Sequence, residues 1–240
     1  MIFENTEVFN FEGALRGMRN PLESWERSDS DFSDKCHLPE HDMRCSDCPL
    51  FRGFGKQCSP LIGKNDLALA QRLIRGGSEH RKFMRQIFIC VDITAPSYWW
   101  KEADTYGVGV VKNSTSTMHK IQSKAITLEL FETDDYNSEI TEGIPELVIL
   151  PFLEKLRVKF LETKDKRYWK ELIRWTPHGW LFKRTTTLNY ENIFNIVHQR
   201  KNHKLNEWSG KDNPEFENFI AWAKTLPYAN ELIFLEKETE

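Results

Sequence analysis

Residues 66–96 read DLALAQRLIRGGSEHRKFMRQIFICVDITAP. Within this run the apolar spacing changes from helical to extended, which is the mark of a mixed chain. Leu67, Ala70 and Ile74 fall at i, i+3 and i+7 and Leu73 widens the stripe, so a helix is predicted from Asp66 to about Arg75. Asn65 or Asp66 is the expected N-cap, and Gly76-Gly77 the stop. Ser78 is expected to cap a further turn through Glu79 and His80. Ile87, Ile89, Val91 and Ile93 then alternate, which predicts a strand that Thr94-Ala95-Pro96 ends.

Outward toward the N-terminus, residues 2–9 read as a strand and 11–18 as a short helix, broken at Asn20-Pro21. Residues 28–61 are polar, hold four cysteines and lack periodicity, so they read as an irregular insertion. Toward the C-terminus, helices are expected at 97–106, 140–163 with a break near Pro151, 167–175, 189–208 and 214–224. The fold class is α+β, organised as a single domain over 1–240 with the Cys-rich insertion at about 28–61.

Bulk properties narrow the function. The chain has 240 residues and a formal net charge of −3, from 33 Lys and Arg against 36 Asp and Glu. Phosphate neutralisation drives general DNA binding and needs a basic excess, so a nucleic-acid partner is not expected. No apolar run approaches the ~18 residues that cross a bilayer, so no membrane partner is expected either. The N-terminal MIFENTEVFNFEG lacks a signal-peptide pattern, and a cytoplasmic protein is expected.

Three stretches carry candidate chemistry. On the predicted 189–208 helix, Asn189 and Arg200 fall within about 20° of one face at 100° per residue, with Asn195 further round and His203 beyond. Two amides and a guanidinium suit a uracil-like edge and a phosphate, and they equally make a polar solvated face. Ser78-Glu79-His80 with Phe83 is a second candidate, although a histidine near a helix end also serves purely structural roles. The third is PSYWWKEADTYGVGVVKNSTSTMH at 96–119, a Gly-containing turn and hydroxyl-rich stretch that can hold an anion or simply connect elements.

Taken in chain order, these pieces resemble the flavin-dependent thymidylate synthases, over residues 8–24 and 66–226. That family has a helix leading to a Glu-His-x-x-Phe element, here Glu79-His80 and Phe83. Its late helix carries an Asn, an Asn six on and an Arg five beyond, a spacing matched by Asn189, Asn195 and Arg200, with His203 and Glu207 following. Its signature Arg-His-Arg falls here on Tyr106-Gly107-Val108, its Asn-Glu on Asn113-Ser114, a Ser on Ser116, and its Arg-Tyr on Met118-His119.

The resemblance implies an antiparallel or mixed sheet flanked by long helices. It implies transfer of a one-carbon unit to C5 of dUMP or a related pyrimidine nucleotide, with FAD as cofactor and NADPH and methylenetetrahydrofolate as co-substrates. It assigns Asn189, Asn195, Arg200 and Ser116 to substrate, and His80, Glu79, Asn113 and His203 to cofactor. It implies a homotetramer. The Arg-His-Arg departure favours an alternative, a catalytically inactive nucleotide-binding or protein-interaction module on the same scaffold. Arg72, Arg75, Lys112, Arg184 and Arg200 are the cations available to replace the lost ones.

Cys36, Cys45, Cys48 and Cys58 form a C-x8-C-x2-C-x9-C pattern. Four thiolates suit tetrahedral zinc or an iron–sulfur cluster, and reduced unligated thiols are the competing reading. Cys90, in the predicted strand, reads as core.

Overall fold

The computed structural model describes residues 1–32, 60–133 and 137–236. The elements in chain order are β1 (Ile2–Phe9), α1 (Phe11–Arg19), α2 (Lys64–Arg75), β2 (Phe88–Pro96), α3 (Ser97–Ala103), β3 (Val111–Ser114), α4 (Thr117–Lys120), α5 (Ser138–Thr141), α6 (Leu150–Thr163), α7 (Lys166–Trp175), β4 (Leu181–Asn189), α8 (Tyr190–Arg200), α9 (Asn206–Ser209) and α10 (Phe219–Lys224). The strands form one four-stranded antiparallel sheet in the order β1-β2-β4-β3, so the α+β expectation holds. Among the described residues no helix is long and apolar enough to cross a membrane.

The chain packs as two compact units, and β2 and β4 each run through both. One unit comprises residues 3–92, 106–111 and 186–240. Here the expected alternation in β2 is obeyed: Ile87, Ile89 and Val91 are fully buried and Phe88 is exposed. Around a 3-10 segment at Arg81–Gln86 pack α1, α2 and α8. Tyr190 ties α8 in place: its ring meets Phe11 edge to face at 5.4 Å and its hydroxyl donates to the Pro227 carbonyl at 2.8 Å. Each buried apolar ring of this kind contributes roughly 1.5–3 kcal/mol of burial.

Helix α2 starts two residues early, after Gly63, and its cap is not the expected one. The Asp29 carboxylate accepts from the backbone N–H of Asn65 at 2.9 Å and of Asp66 at 3.1 Å, and so satisfies two orphan donors from outside the helix. Asp66 is fully buried instead, where Arg19 Nε donates to it at 2.6 Å and the hydroxyls of Ser28 and Ser30 also donate. The helix stops at Gly76-Gly77 as expected, Gly77 taking φ +100, a conformation that L side chains rarely adopt. Ser78 caps no regular turn; the chain enters the 3-10 segment with His80 as its N-cap.

The other unit comprises residues 1–2, 93–105 and 112–185. Its core is Ile121, Ile126, Leu153, Leu172 and Trp180, covered by Trp169, Phe131 and Phe182 among others. Helices α6 and α7 pack on each other, with Lys164 in the left-handed region and Asp165 accepting from the Arg167 N–H to cap α7. The expected 140–163 helix is divided earlier than Pro151. Gly143 at φ +74 leads into a π-helical turn at Pro145–Ile149, which runs on without a break into α6, where Pro151 lies.

Strand β4 corrects the reading of 176–188, where no strand is predicted. Its sequence LFKRTTTLN lacks apolar alternation because part of its packing is polar: Arg184 lies over a tryptophan ring and Thr186 is buried. Expected helix 97–106 ends at Ala103, and 214–224 shortens to α10. Cys90 is half-buried rather than core. The four other cysteines lie outside the described residues, and among the described residues no group of His, Cys, Asp or Glu could hold a metal ion.

Candidate functional site

In the unit containing α8, the Glu79-His80-x-x-Phe83 element and α8 meet. Arg81 Nε donates to the Glu191 carboxylate at 3.0 Å, its Nη2 donates to Asn195 Oδ1 at 3.3 Å, and its guanidinium lies 4.6 Å from the centre of the Phe194 ring. Arg85 bonds the other oxygen of Glu191. Burial pushes the Glu191 carboxyl up, but the bonds from Arg85 and Arg81 outweigh it and hold it below the usual carboxylate range. Two guanidinium groups share one carboxylate, and Arg81 is almost wholly buried while Arg85 remains half-exposed. Lys82 on the 3-10 segment and Arg72 and Arg75 on α2 are also exposed. Glu79 and His80 are exposed in the intervening turn, the His80 ring lying against Gly76.

The expected shared face of Asn189 and Arg200, with Asn195 further round, is not what the helix presents. Asn189 is the N-cap, outside the helix: its side chain accepts from the Asn192 N–H at 3.0 Å, while Asn192 Oδ1 accepts from the Asn189 N–H at 3.1 Å. This is a capping box with asparagine at both positions. Asn195 faces Arg81. Arg200 Nε donates to the Tyr106 hydroxyl at 2.7 Å, and its guanidinium lies 5.5 Å from the Tyr106 ring centre and 5.2 Å from that of Trp208. The three groups therefore have three different partners within this unit.

The helix also ends at Arg200 and resumes only as α9, against the expected run to Trp208. Between the two helices His203 Nδ1 accepts from the Leu205 N–H, the residue that precedes α9 with extended backbone. Its ring lies edge-on to Trp208, 6.3 Å between centres.

The turn at 106–109 has its own fixed geometry. Tyr106 holds Arg200, and the Val108 carbonyl accepts from Asn192 Nδ2 at 3.0 Å. Gly109 sits at φ +73, with Asn189 Nδ2 3.3 Å from where a Cβ would stand, so a side chain here would be strained.

In the other unit, Asn113 is exposed on β3, and Ser116 caps α4 by accepting from the His119 N–H at 3.3 Å. Two of the five available cations come together here: Lys112 and Arg184 both bond Asp104.

Arg81, Arg85, Glu191, Tyr106 and Trp208 are absent from the set expected from sequence. A signal for the first three exists: Arg81 and Arg85, and Glu191 and Asn195, are each spaced i,i+4, which would put each pair on one helical face. No local pattern ties Tyr106 to Arg200.

No family model and no curated protein sequence matches the chain. Solved structures do. A crystal structure of flavin-dependent thymidylate synthase ThyX from Helicobacter pylori complexed with FAD and dUMP matches with a TM-score of 0.61 at 16% identity, covering 97% of this chain and 98% of the other. A second structure of ThyX from Helicobacter pylori with FAD and dUMP matches with a TM-score of 0.61 at 15% identity, covering 97% of each chain. The chain has the fold of a flavin-dependent thymidylate synthase. The likeness is one of backbone path, which both ThyX structures share with it nearly end to end.

Proposed function

We propose that the chain binds a pyrimidine nucleotide and, with a flavin, transfers a one-carbon unit to C5 of dUMP or a related pyrimidine. The observation that carries this reading is the near end-to-end match to ThyX, whose structures hold FAD and dUMP. The donor set supports an anionic cofactor: Arg72, Arg75, Lys82 and Arg85 are exposed within fourteen residues of chain, around a turn that also holds His80. Charge-assisted hydrogen bonds of that kind contribute about 1.5–3 kcal/mol each toward a diphosphate.

When bound, FAD would supply the redox chemistry, with methylenetetrahydrofolate as one-carbon donor and NADPH as reductant. The role of the protein's residues is to neutralise and orient. Arg81 and Glu191 hold the start of α8 against the 3-10 segment, with Arg85 half-exposed and donating to Glu191 and to the Ser78 carbonyl. Self-association, which we take to be tetrameric, is supported by the exposure of Ile140, Leu147, Val148 and Phe152.

A second reading is favoured by a specific observation. At 106–108 the chain has no cation, and Tyr106 and the Val108 carbonyl are bonded to α8. That arrangement suits a nucleotide-binding or protein-interaction module without flavin chemistry. Visible absorbance separates the two. The enzyme reading expects yellow protein, or flavin uptake on reconstitution, together with calorimetric binding of dUMP. Colourless protein that refuses FAD yet binds dUMP would select the module, and absence of both activities would end the nucleotide reading.

A further inference from the structure

Within the unit that contains α3, one cluster of partly buried side chains carries more positive charge than its carboxylate partner neutralises. Lys112 on β3 and Arg184 on β4 come from neighbouring strands. Lys112 Nζ donates to Asp104 Oδ1 at 2.7 Å, and Arg184 Nη1 donates to the same oxygen at 2.9 Å. Lys112 also donates to the Ala103 carbonyl at 3.1 Å. The two cationic side chains are only 15% and 17% exposed, whereas Asp104 is 49% exposed. Among the described residues, two cations on one carboxylate oxygen leave a surplus of one positive charge. Solvent can loosen the half-exposed carboxylate more readily than the two cations it serves.

The aromatic floor and an unused donor add direction. The Arg184 guanidinium lies 4.3 Å and the Lys112 ammonium 6.0 Å from the centre of the Trp100 ring, which the indole N–H anchors to the Phe182 carbonyl at 3.2 Å. Arg184 Nε is buried and, among the described residues, has no hydrogen-bond acceptor. A guanidinium reads a phosphate through two parallel N–H groups, and here Asp104 engages Nη1 alone while the Nε donor lacks an acceptor. A partly buried surplus cation with a donor lacking an acceptor favours completion by an anion.

We propose that Lys112 and Arg184, on the Trp100 face, form a binding site for a phosphate monoester dianion, with Asp104 as the internal carboxylate that the phosphate displaces. The carrier of that phosphate, a pyrimidine nucleotide, rests on the functional reading above; the anion site does not. Asp104 thereby sets the affinity: it pre-aligns the two cations and competes with the ligand.

The test is calorimetry on the full chain at low ionic strength with inorganic phosphate, dUMP and deoxyuridine as probes. Phosphate and dUMP are expected to bind competitively, and deoxyuridine at least tenfold more weakly than dUMP. Asp104→Asn should bind phosphate several-fold tighter, because the competitor is gone while the cations remain. Arg184→Gln and Lys112→Gln should each lose tenfold or more, and Lys170→Gln, exposed on α7, should lose nothing. Asp104→Asn carries the test even if the other variants fold poorly, since a purely structural ion cluster predicts unchanged or weaker phosphate binding. That outcome overturns the site. If phosphate binds by these criteria and dUMP does not, the anion site stands and the nucleotide reading fails. If dUMP binds no better than deoxyuridine and ignores Asp104→Asn, the site fails and the nucleotide reading stands.

Discussion

Arg200 Nε donates to the hydroxyl of Tyr106 at 2.7 Å, and the guanidinium lies against the faces of both Tyr106 and Trp208. The cation that spacing assigns to a nucleotide is thus also an internal strut between α8 and the 106–109 turn. Arg200→Ala is expected to destabilise the protein by about 1–3 kcal/mol, from one hydrogen bond and desolvated cation–π contacts. Tyr106→Phe keeps the ring and should cost about 1 kcal/mol. Urea denaturation measures both. Unchanged midpoints in the two variants would show that Arg200 supports nothing internally.

Glu191 stands between Arg81 and Arg85. Its replacement by alanine leaves the almost wholly buried Arg81 without its carboxylate, an expected loss of about 3–5 kcal/mol. Arg85→Ala, at a half-exposed side chain, should cost about 1 kcal/mol or less. Equal losses in the two variants, read from chemical denaturation, would contradict the buried assignment of Arg81.

Acid should release the Asp66 network. Burial pushes this carboxyl up, but hydrogen bonds from Ser30, Ser28 and Arg19 and the charge of Arg19 outweigh it, so its folded-state pKa is depressed. Glu191 is depressed for parallel reasons. A depressed carboxylate contributes stability that is fully present above its unfolded pKa, near 4, and disappears as pH falls through the folded value. Stability should therefore fall with acidification below about pH 4, and Asp66→Asn should flatten that fall. A variant with the same acid dependence as the parent would remove Asp66 from the account.

Gly109→Ala should destabilise by about 1–2 kcal/mol, since φ is +73 and the Asn189 amide lies 3.3 Å from the new Cβ. Gly179, whose nearest neighbours are 3.6 Å away and whose φ is ordinary, is the control, with little expected change on substitution by alanine. Thermal melts of the pair provide the comparison.

Local spacing read directly from the chain was enough for β1, the buried face of β2 and the Gly76-Gly77 stop. In these the backbone and the side-chain pattern answer to the same short-range rules. The α+β class follows from them, and the thymidylate synthase resemblance follows from the order of the Glu79-His80, Ser116 and Asn189/Asn195/Arg200 pieces. Strand β4 was illegible because its packing uses the Arg184 guanidinium and Thr186 where apolar alternation would ordinarily signal a strand. The α2 cap was illegible because its acceptor, Asp29, lies more than thirty residues away.

What residue order alone determined was the class of fold and the inventory of cations, amides and aromatic rings. Tertiary structure decided their pairing: Arg200 to Tyr106, Arg81 to Glu191 and Asn195, Lys112 and Arg184 to a single oxygen of Asp104. The physical reason is that helical and strand periodicity are set by backbone geometry within a few residues. Which charge meets which partner depends on loops closing over 8 to 114 residues, and on burial that makes one unpaired charge expensive.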